Sequence, residues 1–260
     1  MTALSIEALQ FGFADADKVV NDFHLQAESG EIICLLGASG CGKTTVLNLI
    51  AGLLKPSSGK IQLSTRKSAS ETGIDVGYIF QNDALFPWRT VEGHLLLASD
   101  LNPALSKAQA LEKMDQYLDV FHLSKSVLKK FPSQLSGGMR QRVSIIQTLM
   151  FDPELIILDE PFSALDYYTK LSLEEEFCQL VRSQGKTAIL VTHDIEEAVA
   201  MADRAYIMNG GKLESEFIIR APHQEESRST ATNEARGSSV FAEHYRLIWK
   251  ELKQVLGSKD

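Results

Sequence analysis

Ile32-Ile-Cys-Leu-Leu36-Gly37-Ala-Ser-Gly-Cys-Gly-Lys43-Thr44-Thr45 is the stretch that decides the fold. Glu31 to Leu36 is a compact apolar run, short enough to read as a buried strand. A glycine-rich loop follows at once. Val46, Leu47, Ile50 and Leu54 then recur at helical spacing, which predicts a helix over Thr44 to Leu54. The loop Gly37-Ala38-Ser39-Gly40-Cys41-Gly42-Lys43-Thr44 is the pattern G-x-x-x-x-G-K-[ST], in the strand–loop–helix context which that pattern requires. Its glycines let backbone N–H groups converge on phosphate oxygens, and the following helix turns its positive end toward them. Lys43 is expected to reach the β- and γ-phosphates and Thr44 to ligate Mg²⁺, with Thr45 beside it in the first turn. Cys41 reads as a small filler of the loop.

Outward from this loop, strands and helices alternate. Leu4 to about Gly30 alternate weakly, as short strands with polar faces do. Lys55-Pro-Ser-Ser-Gly59 is a turn, and Lys60 to Leu63 returns as a strand. Further strands are predicted at Asp75 to Phe80, Leu155 to Leu158 and Ala188 to Val191, with a helix around Leu173, Phe177 and Leu180 between the last two. Leu111, Met114, Leu118 and Phe121 recur at helical spacing, so roughly residues 90–150 read as an inserted helical subdomain. The alternation predicts an α/β fold with a parallel sheet. Residues 1–220 form one domain in this reading, and 221–239, rich in Pro, Ser, Thr, Glu and Arg, a flexible linker. Phe241, Tyr245, Ile248, Trp249 and Leu252 mark a terminal helix over 240–260, which either docks on the core or meets a partner. No internal repeat is visible.

Two further segments bear on chemistry. Leu155-Ile-Ile-Leu158-Asp159-Glu160 is an apolar strand ending in two carboxylates. An aspartate there can hold Mg²⁺, and a glutamate one step on can polarise an attacking water as general base. The alternative is a pair of solvated turn residues. Leu135-Ser136-Gly137-Gly138-Met139-Arg140-Gln141-Arg142 places a good N-cap, Ser136, before a helix beginning near Met139. It makes a second anion-receiving helix start in one chain. The economical use of two such starts is a head-to-tail dimer, each Ser-Gly-Gly covering the ATP held by a second copy.

These motifs resemble the nucleotide-binding domain of ABC transporters, and Leu135 to Arg142 resembles that family's signature sequence. The resemblance covers roughly Leu4 to Leu213. It implies a P-loop NTPase (RecA-like) core with an N-terminal antiparallel β subdomain and the inserted helical subdomain. It also implies an ATPase that uses ATP and Mg²⁺. Gln81 resembles the Q-loop glutamine that contacts Mg²⁺ and the attacking water. Ser163-Ala-Leu-Asp166 resembles the D-loop that crosses the dimer interface, and His193 the switch histidine that contacts the γ-phosphate. Phe13 matches the adenine-stacking position, with Phe11 competing. Asp194 and Glu197 also make a capping-box-like helix start after His193. Phe80-Gln81 through Trp88-Arg89-Thr90-Val91 and Thr192-His-Asp-Ile-Glu-Glu-Ala198 are similar to importers of the nitrate/sulfonate/taurine group. Pro87-Trp88 suits either a groove for a helix of a membrane subunit or a contact inside the helical subdomain. Relatives often carry an acid and an asparagine where Gly93 and His94 stand, and an arginine at Gln147.

The bulk numbers agree. A chain of 260 residues with 44% hydrophobic and 23% charged residues has the make-up of a soluble globular protein. The net charge of -8 argues against broad nucleic-acid binding. Cys34, Cys41 and Cys178 show neither disulfide nor zinc spacing, which points to a reducing compartment. Met1 to Ala14 lacks the apolar run of a signal peptide, and no apolar run is long enough to cross a bilayer. The resemblance implies as partners a second copy, transmembrane permease subunits and, indirectly, a solute-binding protein, with the chain on the cytoplasmic face of the inner membrane. The rival readings are a non-transport ABC ATPase of translation or DNA repair and a nucleotide-binding regulatory module.

Overall fold

The computed structural model describes residues 2–13, 18–64, 76–102, 105–220 and 232–257. The chain forms two compact units, one made of residues 1–64 and 181–260, the other of 65–180.

In the first unit, β1 (Thr2–Gly12) pairs antiparallel with β2 (Lys18–Glu28) and with β4 (Ser58–Leu63), giving the order β2-β1-β4. This is the antiparallel subdomain that the family resemblance implied. β3 (Ile32–Leu36) is buried at every residue and lies between two parallel neighbours, β7 (Thr187–Thr192) and β8 (Arg204–Asn209). Strands buried on both faces read as unbroken apolar runs rather than alternating ones. β9 (Lys212–Ile218) closes the edge antiparallel to β8. The sequence reading did not separate β8 and β9. Their signal was Asn209-Gly210-Gly211, whose glycines take φ 53° and 78°, the left-handed pair that a two-residue hairpin turn requires.

α1 (Lys43–Ile50) follows β3, and α7 (Ile195–Met201) follows β7. The helix expected to reach Leu54 stops at Ile50. Gly52 turns to φ 71°, and the amides of Leu53 and Leu54 both donate back to the Asn48 carbonyl. A left-handed glycine beyond the last turn satisfies the carbonyls that end a helix.

Of the linker expected over 221–239, residues 221–231 lie outside the described residues. The rest departs from that reading: α8 (Thr232–Arg236) is helical, its Thr232 is buried, and α9 (Ser239–Gly257) begins at Ser239. Both pack against α7, and Ile248 of α9 is fully buried.

The second unit carries β5 (Val76–Ile79) parallel to β6 (Leu155–Asp159). Its helices are α2 (Val91–Leu95), α3 (Leu97–Leu101), α4 (Lys107–Val120), α5 (Gly137–Met150) and the first turns of α6 (Tyr167–Ser183). Met114, Leu118 and Phe121, the stripe read from sequence, are buried. Leu111 of the same stripe stays partly exposed.

Candidate functional site

In the first unit the phosphate loop is built by steric need. A Cβ at Gly37 would fall 2.3 Å from the Met208 carbonyl oxygen, and one at Gly42 would fall 2.8 Å from that of Val19. Gly42 also stands at φ 103°, which favours glycine. Gly42 is the N-cap of α1, without a side-chain cap and without an acid in the first turn. Unneutralised amides at such an end suit an anion. The Lys43 ammonium donates to the carbonyls of Gly37 (2.7 Å) and Ala38 (2.9 Å), and Cys41 Sγ lies 3.9 Å away. The cation is thereby fastened to the loop itself, beside the glycine-lined cradle. These features fit a nucleotide phosphate.

Strand pairing brings His193 to this loop. Leu36 is the partner of Thr192 in the parallel register, so Gly37 and His193 leave neighbouring strand ends on the same edge. His193 is exposed. The next residue, Asp194, caps α7: its Oδ1 accepts from the Glu196 amide at 2.8 Å, and its own amide donates to Thr192 Oγ1 at 3.0 Å. The expected capping box pairs Asp194 with Glu197; the observed cap bond goes to Glu196 instead.

Phe11 and Phe13 meet edge to face with ring centroids 5.0 Å apart. Phe11 is 8% exposed and Phe13 54%. Phe11 belongs to the subdomain core, which leaves Phe13 with a face for a ligand. Gly12 pairs with Lys18 in the β1–β2 ladder, and the Val19 carbonyl sits over Gly42, so the hairpin end that carries Phe13 adjoins the phosphate loop.

In the second unit the same device recurs. Ile79 pairs with Leu158, so Phe80-Gln81 and Asp159-Glu160 leave adjacent parallel strand ends. Ligands in open α/β sheets gather at such carboxyl ends. Gln81 is exposed; Asp159 and Glu160 are half-buried. The Tyr78 hydroxyl donates to Asp159 Oδ2 at 3.4 Å, and burial together with that carboxylate pushes the phenol well above its ordinary value. Glu160 holds φ 46°, a left-handed conformation that non-glycine residues rarely adopt. Strain of that kind concentrates at functional sites. Ser163 supports the turn, with its hydroxyl donating to the Glu160 carbonyl at 3.0 Å.

The signature segment forms α5 two residues earlier than expected, at Gly137, because Ser136 caps it through the Met139 amide at 3.3 Å. Ser136 and Gly137 are exposed. Asp166 Oδ1 accepts from the Thr169 amide at 3.1 Å, and the bonds to Thr169 lower its carboxyl below the ordinary value. Asp166 is thus already the cap of α6.

Sequence reasoning gave no sign of the ion pair at the signature helix. Arg140 Nε donates to Asp83 Oδ2 at 2.6 Å, and its Nη1 donates to the Leu135 carbonyl at 3.0 Å. The start of the signature helix is therefore tied to the segment two residues past Gln81. An arginine in the octet and an acid after the glutamine were visible, but nothing in their spacing joins positions 57 residues apart.

Beyond the loop after Gln81, Phe86 stacks on Trp88 (5.3 Å) and on His94 (5.8 Å), and Trp88 is 72% exposed. His94 is buried and its Nε2 donates to the Phe86 carbonyl at 3.1 Å. Burial lowers the imidazole below its ordinary value, against the bond to the Phe86 carbonyl and the influence of the nearby Gln147 side chain. Two of the departures noted in the sequence, His94 and Gln147, are therefore neighbours.

Among the described residues no helix is long and apolar enough to cross a membrane. The ABC transporter family model matches residues 20–163. The chain is 40% identical over 250 residues to the ABC transporter ATP-binding protein YtlC of Bacillus subtilis (strain 168), covering 94% of this chain and 92% of that one. It is 41% identical over 193 residues to the nitrate import ATP-binding protein NrtD of Synechococcus elongatus, covering 74% and 70%. Among solved structures, the dimeric post-hydrolysis state of an ATP-binding cassette bound to ADP and Pi superposes with a TM-score of 0.71 at 26% identity, over 84% of this chain and 99% of that one. With the phosphate loop, the carboxylate-ended strand and the capped signature helix in place, the chain belongs to the ABC transporter family as an ATP-binding cassette ATPase.

Proposed function

We propose that this ATPase powers small-solute import through a separate membrane permease, working as a head-to-tail pair of copies on the cytoplasmic face of the membrane. The observation that carries the catalytic reading is paired delivery. In each unit two adjacent parallel strands end together, and each end presents a chemical group, Gly37 with His193 and Gln81 with Asp159-Glu160.

The loop amides and Lys43 bind and orient the β- and γ-phosphates, and Phe13 stacks on the adenine. Thr44, Asp159 and Gln81 are the residues that would hold Mg²⁺, which when bound neutralises charge on the phosphates. Glu160 accepts a proton from the attacking water as general base. His193 contacts the γ-phosphate. Positioning and charge stabilisation dominate such a reaction. Ser136, Gly137 and Gly138, with Asp166, face the nucleotide of the second copy. Similarity to NrtD supports the importer reading, and the exposed Trp88 on its aromatic stack supports a docking groove for a permease helix. Solute choice then belongs to the permease and a solute-binding protein.

Glu160→Gln tests the general-base role. Phosphate release should fall by roughly two to four orders of magnitude while ATP binding is kept. Unchanged turnover in that variant removes the assignment.

A further inference from the structure

α7 starts one residue after Asp194, directly beyond His193, and is only seven residues long, Ile195 to Met201. At about 1.5 Å per residue, its two ends are about 10 Å apart. Its amino end is fixed by the Asp194 and Thr192 bonds described above. Its carboxyl end is held by two guanidinium groups. Arg220 Nη2 donates to the Ala200 carbonyl at 2.5 Å and its Nη1 to that of Ala202 at 2.8 Å, while Arg182 Nη2 donates to the Met201 carbonyl at 3.0 Å. A cation at a helix carboxyl end meets both the unpaired carbonyls and the negative end of the dipole.

Arg220 is 6% exposed, and its placement is itself fixed. The amides of Ile219 and Arg220 both donate to the Asp203 carbonyl, at 2.8 and 3.0 Å. The Asp203 amide donates to the Ile32 carbonyl at 2.7 Å, at the foot of the strand that feeds the phosphate loop. Beyond Arg220 the chain returns over the same helix. α8 and α9 pack on α7, Thr232 and Ile248 are buried, and Ser215 of β9 donates to Glu251 of α9 at 2.9 Å. A plain helix cap needs one such donor. Here three bonds from two arginines, and a further pair of helices, bear on one short helix.

We propose that Arg220 is a positioning residue for ATP hydrolysis: with α8 and α9 it clamps α7, and through α7 it fixes the placement of His193. The inference rests on His193 as the γ-phosphate contact. A short helix held at its far end by a forked donor cannot slide or roll without breaking several bonds at once. The residue at its near end inherits that rigidity.

The test uses the full chain and MgATP, with phosphate release measured across ATP concentration. Arg220→Gln should lower kcat roughly ten- to hundredfold, the scale of a small misplacement of a reacting group, and leave KM for ATP nearly unchanged. Arg220→Lys keeps the charge but not the planar fork, so it should recover part of kcat, and it carries the test should the glutamine variant fold poorly. Amide hydrogen exchange over residues 196–202 should quicken in both. In a His193→Ala background Arg220→Gln should cost nothing further. A slow His193→Ala enzyme beside a normal Arg220→Gln one, or an equal loss from Arg220→Gln in both backgrounds, overturns the clamp. Normal hydrolysis by His193→Ala instead overturns the reading of His193 on which the clamp depends.

Discussion

Two helices of this chain begin with glycines, and they begin differently. α1 starts from Gly42, with no side-chain cap, inside a loop where a methyl group at Gly37 or Gly42 would strike a backbone carbonyl. α5 starts from Ser136, whose hydroxyl already accepts the Met139 amide. Its glycines are far less constrained. Among the described residues, a Cβ at Gly137 would meet nothing nearer than Arg140 Nη2 at 4.0 Å, and one at Gly138 meets a Thr169 methyl at 2.6 Å, the end of a side chain. The first start needs its glycines in order to fold. The second has room for a side chain at Gly137 among the described residues. If Gly137 matters, the reason lies outside the protomer, which is what a head-to-tail pair requires.

The comparison breaks most visibly at Gly37. Gly37→Ala should abolish nucleotide binding, read by equilibrium titration, because a carbonyl 2.3 Å away cannot yield without moving β8. Retained ATP affinity would mean that the loop is looser than its packing implies. Gly137→Ala should do the reverse: folding intact or slightly firmer, since alanine is the better helix former, with ATP still bound but hydrolysis impaired. Full activity in that variant would remove the second copy from the site. Ser136→Ala comes next. Loss of the cap should cost about 1 kcal/mol, seen as a lower denaturant midpoint at constant slope. No change would show that the Met139 amide is satisfied otherwise.

The smallest effect lies away from both starts, at His94. Its folded pKa is lowered from 6.5 by burial, against its hydrogen bond to the Phe86 carbonyl. Below pH 6.5 the unfolded chain therefore binds more protons than the folded one. The contribution of neutral His94 is complete above that value and is lost as pH falls toward the folded pKa. His94→Asn should flatten stability over that window, and a slope identical to the parent's would exclude His94 as its source. This serves as a control, because nucleotide affinity should stay unmoved throughout.

Much of this was readable in one dimension because local periodicity carried it. Ile32–Leu36 and Leu155–Leu158 are unbroken apolar runs, and strands buried on both faces leave no other pattern. Gly37 to Thr44 specifies its own geometry, since the glycines and the lysine act within eight positions. Phe13 against Phe11 was open in the sequence, because residues two apart share one face of a strand and their spacing does not say where the covered part of that face ends. Burial separates them. The Arg140–Asp83 pair and the Arg220 bonds to α7 gave no local signal at all.

Residue order thus settled the strand–loop–helix unit, the two carboxylates at a strand end and the cap of the signature helix, because each depends on neighbours within one turn or one pleat. Only the three-dimensional packing decided that Gly37 and His193 leave paired strand ends, that Gln81 and Asp159 do likewise, and that the C-terminal helices rest on α7. Strand partners and helix-end clamps join residues far apart in the chain, so their choice is made by the summed burial of the core and not by any short stretch of it.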